Sequence, residues 1–237
     1  GVVRFSPNLG WKNVPLKRFL ARGLKASVAI ENDANCAAWG AYCLDAKRDC
    51  GNLICLTLGT GVGGGVIIGG KLYRGATGSA GEIGHLTVDY KGRLCGCGSR
   101  GCLESMVGAW GIVKTAREGI ARGRSPLLKR LLREPGAKLS PRLIEQAAKK
   151  NDPFSKKIWN DAGECLGAAM ASLVNVLNPE RIVLCGGVSK AGDLILKPAL
   201  RALGKRAFKV PFQRVKVTVS KFDEKLGVVG AALLCLE

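Results

Sequence analysis

The chain has 237 residues, 47% of them hydrophobic, and 37 Lys and Arg against 18 Asp and Glu give it a formal net charge of +19. Such a chain can bury a core as one large or two small domains, and no apolar run approaches the ~20 residues of a membrane span. With no charged-then-apolar leader at its start, a soluble cytoplasmic protein is expected.

The charge would attract nucleic acid, anionic membrane or phosphate-bearing ligands. The cations are nevertheless spread along helical surfaces, with small clusters at Arg122–Arg124, Lys129–Arg133 and Lys205–Arg206, and aromatics make up only 5%. The charge therefore reads as a solvated surface that also helps an anionic substrate. Gly1–Asn13 reads as the middle of a fold. Lys25–Ile30 ends in β-branched residues and predicts a short strand that delivers Glu31-Asn32-Asp33-Ala34-Asn35 at its carboxyl end, where α/β folds gather ligands. A helix is predicted from Ala34 to Ala46. Asp33 has two readings, a helix cap shared as a possibility with Asn32 or a general base at a strand-to-helix junction, and pattern alone favours the cap.

Asn52–Leu58 is an apolar strand. It runs into Gly59-Thr60-Gly61-Val62-Gly63-Gly64-Gly65, a second strand Val66–Ile68, a Gly69-Gly70 turn and Lys71–Tyr73. Six of the eleven residues from Gly59 to Gly69 are glycine. In a hairpin of β-branched strands this density brings backbone N–H groups close to an anion, as in a phosphate cradle, although tight turns alone also use glycine. No Gly-Lys-Ser/Thr follows, so this is not a Walker motif.

His85, the only histidine, is followed at ten, twelve and seventeen residues by Cys95, Cys97 and Cys102. Three thiolates and one imidazole can close a tetrahedral zinc site, and four protein ligands leave no open position, which makes the metal structural. Thiols clustered between glycines are not a core pattern. Glu82 and Glu104 are attached to the same loop. A metal that freezes the loop also freezes both acids, and such carboxylates accept paired hydrogen bonds from vicinal hydroxyls, as sugars present them. Either glutamate taken singly would read as a surface charge. The other seven cysteines, Cys36, Cys43, Cys50, Cys55, Cys165, Cys185 and Cys235, lie singly in apolar or helical stretches and read as free buried thiols in a reducing compartment.

Downstream, Met106–Gly123 is a predicted helix, Ser125–Gly136 a basic helix and turn, and Ser140-Pro141 caps a helix to about Lys150. Asp152-Pro153 opens a long helix to about Leu177, whose Gly163, Gly167, Ala168, Ala169 and Ala171 permit close packing. Arg181–Cys185 reads as a buried strand entering Gly186-Gly187-Val188-Ser189 and a helix from about Ala191 to Phe208. A strand, two glycines and a helix can place a nucleotide at a helix N-terminus or merely form a packing turn. Val215–Val219 is a predicted strand and Gly227–Leu236 a closing helix. Alternating strands and helices argue for an α/β fold with a mixed sheet.

Together these motifs resemble the ROK family, named for repressors, open reading frames and kinases, within the actin-like ATPase (ribonuclease H-like) sugar kinase fold. The resemblance rests on Asn32-Asp33-Ala34-Asn35, Leu58 to Gly65, Glu82-x-Gly84-His85, Cys95-x-Cys97-Gly98-x-x-Gly101-Cys102-x-Glu104 and Gly186-Gly187-Val188. It covers essentially the whole chain, and the cysteine-rich part is the specific one. Among ROK proteins the bacterial zinc-containing glucokinases look most similar.

The resemblance implies an ATP-dependent hexose kinase, with Asp33 as the base for the sugar's primary hydroxyl and Asn32, Glu82, His85 and Glu104 on its other hydroxyls. It also implies a structural zinc on His85, Cys95, Cys97 and Cys102, and Mg-ATP on Gly59, Thr60 and Gly61 with an adenosine contact at Gly186, Gly187 and Val188. Residues 1–33 would be a remnant of the small lobe, 34–226 the large lobe and 227–237 a closing helix packing back on the small lobe. Glucose is the expected hexose and a homodimer the expected assembly. The Asp-x-Gly-Gly-Thr loop of complete members has no match, so the N-terminal lobe reads as incomplete and this stretch alone is expected to phosphorylate sugar poorly. The alternative is the sugar-sensing portion of a ROK repressor, and nucleic acid is an expected partner only if a helix-turn-helix precedes residue 1.

Overall fold

The computed structural model describes residues 1–6, 9–223 and 225–236. The chain opens with an antiparallel pair, β1 (Val3–Ser6) and β2 (Trp11–Val14), and a helix α1 (Leu16–Leu24), three elements absent from the reading above. The strand expected over Lys25–Ile30 does not form. Lys25 is instead the left-handed C-cap of α1, with φ of 52°. Residues 27–32 then run without a ladder partner, because β1 and β2 pair only with each other.

Helix α2 (Asp33–Leu44) follows, and then the strands of the main sheet: β3 (Leu53–Leu58), β4 (Val62–Ile68) and β5 (Lys71–Leu72). A bridged loop leads to α3 (Leu103–Val107), α4 (Ala109–Ala121), α5 (Pro126–Leu131), α6 (Pro141–Lys149) and α7 (Pro153–Leu177). The last elements are β6 (Arg181–Cys185), α8 (Asp193–Arg206), α9 (Lys209–Arg214), β7 (Lys216–Val219) and α10 (Lys225–Leu234). The sheet order is β5-β4-β3-β6-β7, with β3 antiparallel to β4 and parallel to β6.

Alternation along β3 and β6 separates two buried layers, since successive strand residues point to opposite faces. Ile54, Leu56, Leu58, Ile182 and Leu184 join the larger core under α3, α4, α6, α7 and α8. Leu53, Cys55, Val183 and Cys185 join a smaller one with Ala37, Ala38 and Trp39 of α2 and Leu226 of α10. Cys55 and Cys185 are thus neighbours, Sγ to Sγ 3.9 Å, and Cys235 is exposed rather than buried.

Two expectations about glycine and helix continuity are corrected. Gly63, Gly64 and Gly65 belong to β4 itself, so the turn is only Gly59-Thr60-Gly61. A Cβ on Gly65 would stand 2.5 Å from Ala38 Cβ and 2.8 Å from the Ala34 carbonyl, and one on Gly63 2.9 Å from Ala34 Cβ, so these two glycines let α2 lie directly on the strand, while Gly64 on the other face admits Gly81 and Ile83. The single helix expected over Met106–Gly123 is two, because Gly108 is extended (φ −61°, ψ 150°) between α3 and α4. The break lets the first N–H of α4, on Ala109, donate to the Gly59 carbonyl at 3.0 Å. Similarly, the helix expected from Ala191 to Phe208 begins at Asp193 after a 3-10 turn, Ser189–Ala191, and ends at Arg206.

The long helix forms as expected: Asp152 caps it through Ser155 N–H at 2.8 Å, Pro153 opens it and left-handed Asn178 ends it. No described helix is long and apolar enough to cross a membrane.

Candidate active site

At the carboxyl ends of β3 and β6 the layers part to leave a cleft of about 510 Å³, within the usual size of small-molecule sites. Asn32, Asp33, Glu82, His85 and Glu104 line it, together with Gly59, Thr60, Gly61 and Gly186. Gly187 faces a neighbouring recess of about 380 Å³ lined also by Arg142, Glu145 and Lys190. Val188 reaches neither, for its side chain is buried and its N–H donates to the Leu58 carbonyl.

The first wall is the start of α2. Asn32 is the cap, its Oδ1 accepting from Ala34 N–H at 2.9 Å and Asn35 N–H at 3.1 Å. The cap reading of Asp33 is therefore corrected. Asp33 accepts only from Ala34 N–H, through Oδ1, so its Oδ2 has no protein partner among the described residues. A helix N-terminus also stabilises a carboxylate placed there. Glu31, which the sequence reading left without a role, buttresses this turn: its carboxylate accepts from Asn32 N–H, Asn35 Nδ2 and Arg74 Nε. Burial alone would raise the Glu31 carboxyl, but these hydrogen bonds and the Arg74 charge outweigh it and hold the group below its ordinary value.

The opposite wall is the cysteine loop. Glu82 precedes a 3-10 turn over Ile83–His85, and from there to α3 the loop has only two isolated bridges, Thr87 with Cys102 and Leu94 with Arg100. Arg93 pins it to α4 by donating to the Gly111 carbonyl and Thr115 Oγ1. The ligand atoms of His85, Cys95, Cys97 and Cys102 all lie within 4.8 Å of one another. Cys95 Sγ is 3.8 Å from His85 Nδ1, and Cys97 Sγ is 3.6 Å from Cys102 Sγ. A tetrahedron with metal–sulfur bonds of ~2.3 Å has edges of about 3.8 Å, so the four groups fit zinc. Burial pushes the Cys95 thiol up and the Cys102 thiol up to about 12, while the Ser99 N–H holds Cys97 lower. A bound cation supplies the charge that buried thiolates otherwise lack.

Glu104 connects this loop to the glycine turn. It stands in the first turn of α3, its Oε2 accepts from Val62 N–H at 3.1 Å, and a Cβ on Gly61 would overlap its carboxylate. In that turn the carbonyls of Gly59 and Thr60 face the N-terminus of α4 and Gly59 N–H is bonded to Gly61 O. The N–H groups of Thr60 and Gly61 have no protein partner among the described residues, as an anion cradle requires.

A mixed sheet covered on both faces, with an acid at a helix start on one side of the cleft and backbone N–H groups without a partner among the described residues on the other, fits the actin-like ATPase fold of sugar kinases, to which the comparisons assign the chain. The family model described as ROK family matches residues 1–237, and the chain belongs to that family. A glucokinase of Halalkalibacterium halodurans is 37% identical over 235 residues, which cover 99% of this chain and 71% of that protein. A putative xylose repressor of Caldicellulosiruptor sp. is 33% identical over 236 residues, 100% of this chain and 59% of the repressor. The solved structure of a ROK family glucokinase from Streptomyces griseus, in complex with glucose and AMPPNP, superposes with a TM-score of 0.85 at 35% identity, covering 99% of this chain and 76% of that one. The glucokinase relatives support a hexose kinase.

Proposed function

We propose that the chain transfers a phosphoryl group from Mg-ATP to the 6-hydroxyl of glucose or a related hexose. The observation that carries this reading is the convergence in one cleft of Asp33, with one carboxylate oxygen unengaged among the described residues, and the N–H groups of Thr60 and Gly61, which have no partner among them. Asp33 accepts the proton of the primary hydroxyl as that oxygen attacks the terminal phosphorus. The bond from phosphorus to the bridging oxygen breaks, and ADP leaves. Positioning and charge stabilisation supply most of such a rate, so one base and backbone donors suffice.

Asn32, Glu82, His85 and Glu104 orient the sugar. Asn32 uses its Oδ1 as a cap and keeps its Nδ2 for a hydroxyl, while Glu104 offers Oε1, whose contact in the structure is the Cys95 thiol at 3.9 Å. Zinc on His85, Cys95, Cys97 and Cys102 would hold the loop rather than take part in the reaction, since the four ligands close its coordination. The phosphates lie over Gly59, Thr60 and Gly61 and beside Gly186, and the nucleoside enters the recess at Gly187.

A coupled assay of the full-length protein against a panel of hexoses, with and without a zinc chelator, tests the reading. Glucose turnover that disappears in the D33N variant supports it, and turnover unaffected by that change overturns it. The repressor relative favours a second reading, a sugar sensor that binds hexose through the same groups. Tight sugar binding with no phosphorylation by the full-length protein would select it.

A further inference from the structure

We propose that Asp223 is a positioning residue for the donor side of the cleft, setting the turn Gly186–Lys190 against which the nucleotide lies. The inference rests on the kinase reading. Gly186 leaves β6 with φ of 94°, and a Cβ there would stand 2.6 Å from the Leu58 carbonyl, so the turn is pressed against the end of β3. Asp223 grips it from outside at both ends. Its Oδ1 accepts from Gly186 N–H at 2.7 Å and its Oδ2 pairs with Lys190 Nζ at 2.7 Å.

Within the turn, Val188 N–H is bonded to Leu58 O, and Ser189 donates both its N–H and its Oγ to Gly186 O. Of the N–H groups from Gly186 to Ser189, only that of Gly187 has no partner among the described residues. Asp223 therefore occupies the donor that would compete with it and leaves Gly187 presented to the recess. A carboxylate so near a phosphate site would repel the ligand, but the Lys190 ammonium balances its charge. The position of Asp223 is set in turn by α10, which it precedes. Leu226 O of that helix would lie 2.5 Å from a Cβ on Gly40 of α2, the helix that begins at Asp33. One packed pair of helices thus carries both the acceptor base and the clamp on the donor turn.

The test uses calorimetry of the full-length protein with AMPPNP and, separately, with glucose, on wild type, D223A and D223N, together with hydrogen exchange of the segment 184–190 without ligand. D223A is expected to weaken AMPPNP binding about tenfold, what one charge-assisted hydrogen bond supplies, with glucose binding unchanged and exchange in 184–190 faster. D223N keeps an acceptor for Gly186 N–H and tolerates the left-handed backbone at 223 (φ 43°), so it should restore most of the affinity. If wild type binds AMPPNP and D223A binds it equally well, or if D223A loses glucose and AMPPNP affinity alike, the positioning role is wrong. If wild type itself binds no nucleotide, the kinase reading fails, while exchange in 184–190 still reports whether Asp223 clamps the turn.

Discussion

On one wall of the cleft, Asn32 and Asp33 are fixed by a helix: twelve residues of α2, capped by Asn32 and pressed onto β4, hold them through backbone hydrogen bonds and packing. On the other wall, Glu82 and His85 stand on three residues of 3-10 helix and a loop with two isolated bridges. The first wall needs no ligand to keep its shape. The second replaces a hydrogen-bonded ladder with the convergence of His85, Cys95, Cys97 and Cys102, whose protein contacts alone are weak thiol and imidazole interactions. Two acids proposed to serve one sugar are thus held by unlike means, and each means can be removed without the other.

The largest expected effect is on the first wall. D33N keeps the size of the side chain and an acceptor for Ala34 N–H but removes the base, so kcat for glucose should fall about 10³-fold, within the range for a general base. Zinc content and glucose affinity should stay within a few-fold of wild type. A coupled assay beside equilibrium binding separates these, and loss of zinc in D33N would show that the walls are not independent. Removing the metal attacks the second wall. C102S, or chelation of wild type, should empty the site, weaken glucose binding at least tenfold and lower Tm by roughly 6–12 °C, as a loss of about 3 kcal/mol does in a chain of this length. Hydrogen exchange should quicken across 82–104 and leave 32–44 unchanged. Even exchange throughout would break the comparison.

The same contrast governs what was legible in the sequence. The convergence of the cysteine loop could be read because cysteine and histidine carry their chemistry in their identity, and the fold brings the ligand atoms of His85, Cys95, Cys97 and Cys102 within 4.8 Å of one another. Regular elements with strong caps were equally plain: Asp152-Pro153 and Asn178 bound α7 on both sides. The glycine run was misassigned in part, since a strand glycine that admits a packed helix and a turn glycine that admits an anion look alike until the helix is placed. Helix α1 was missed although Leu16, Phe19, Leu20 and Leu24 recur at helical spacing, and in the fold Phe19, Leu20 and Leu24 of that stripe remain exposed. The pairings of Glu31 with Arg74 and of Asp223 with Gly186 left no signal, for the partners lie 43 and 37 residues apart, whereas the contacts of Glu31 with Asn32 and Asn35 are local.

Smaller effects test how the first wall is seated. G65A adds one methyl where Ala38 Cβ would be 2.5 Å away and the Ala34 carbonyl 2.8 Å. Overpacking of this kind costs about 1–3 kcal/mol, read as a shift in the urea midpoint, and displaces the start of α2 so that kcat falls with zinc content intact. An unchanged midpoint would mean that α2 does not lie on β4 as closely as it must to hold Asp33.

The smallest effect lies on an ion pair that spans the two walls, Glu31 with Arg74. Glu31, beside Asn32, takes a 2.7 Å hydrogen bond from Arg74 Nε, and Arg74 begins the loop that leads through Gly81 to Glu82. E31Q retains an acceptor for Asn35 Nδ2 but loses the charge, and half of the Arg74 side chain is in solvent, so about 1 kcal/mol is expected at neutral pH. The Glu31 carboxyl is held below 4.5 in the folded chain. Its contribution is therefore complete above that value and lost as pH falls through the folded pKa. Urea unfolding of wild type and E31Q should differ at pH 7 and converge as the pH falls below the folded pKa of Glu31. A gap that persists in acid would assign the loss to packing instead of charge, and the link between the walls would then not be electrostatic.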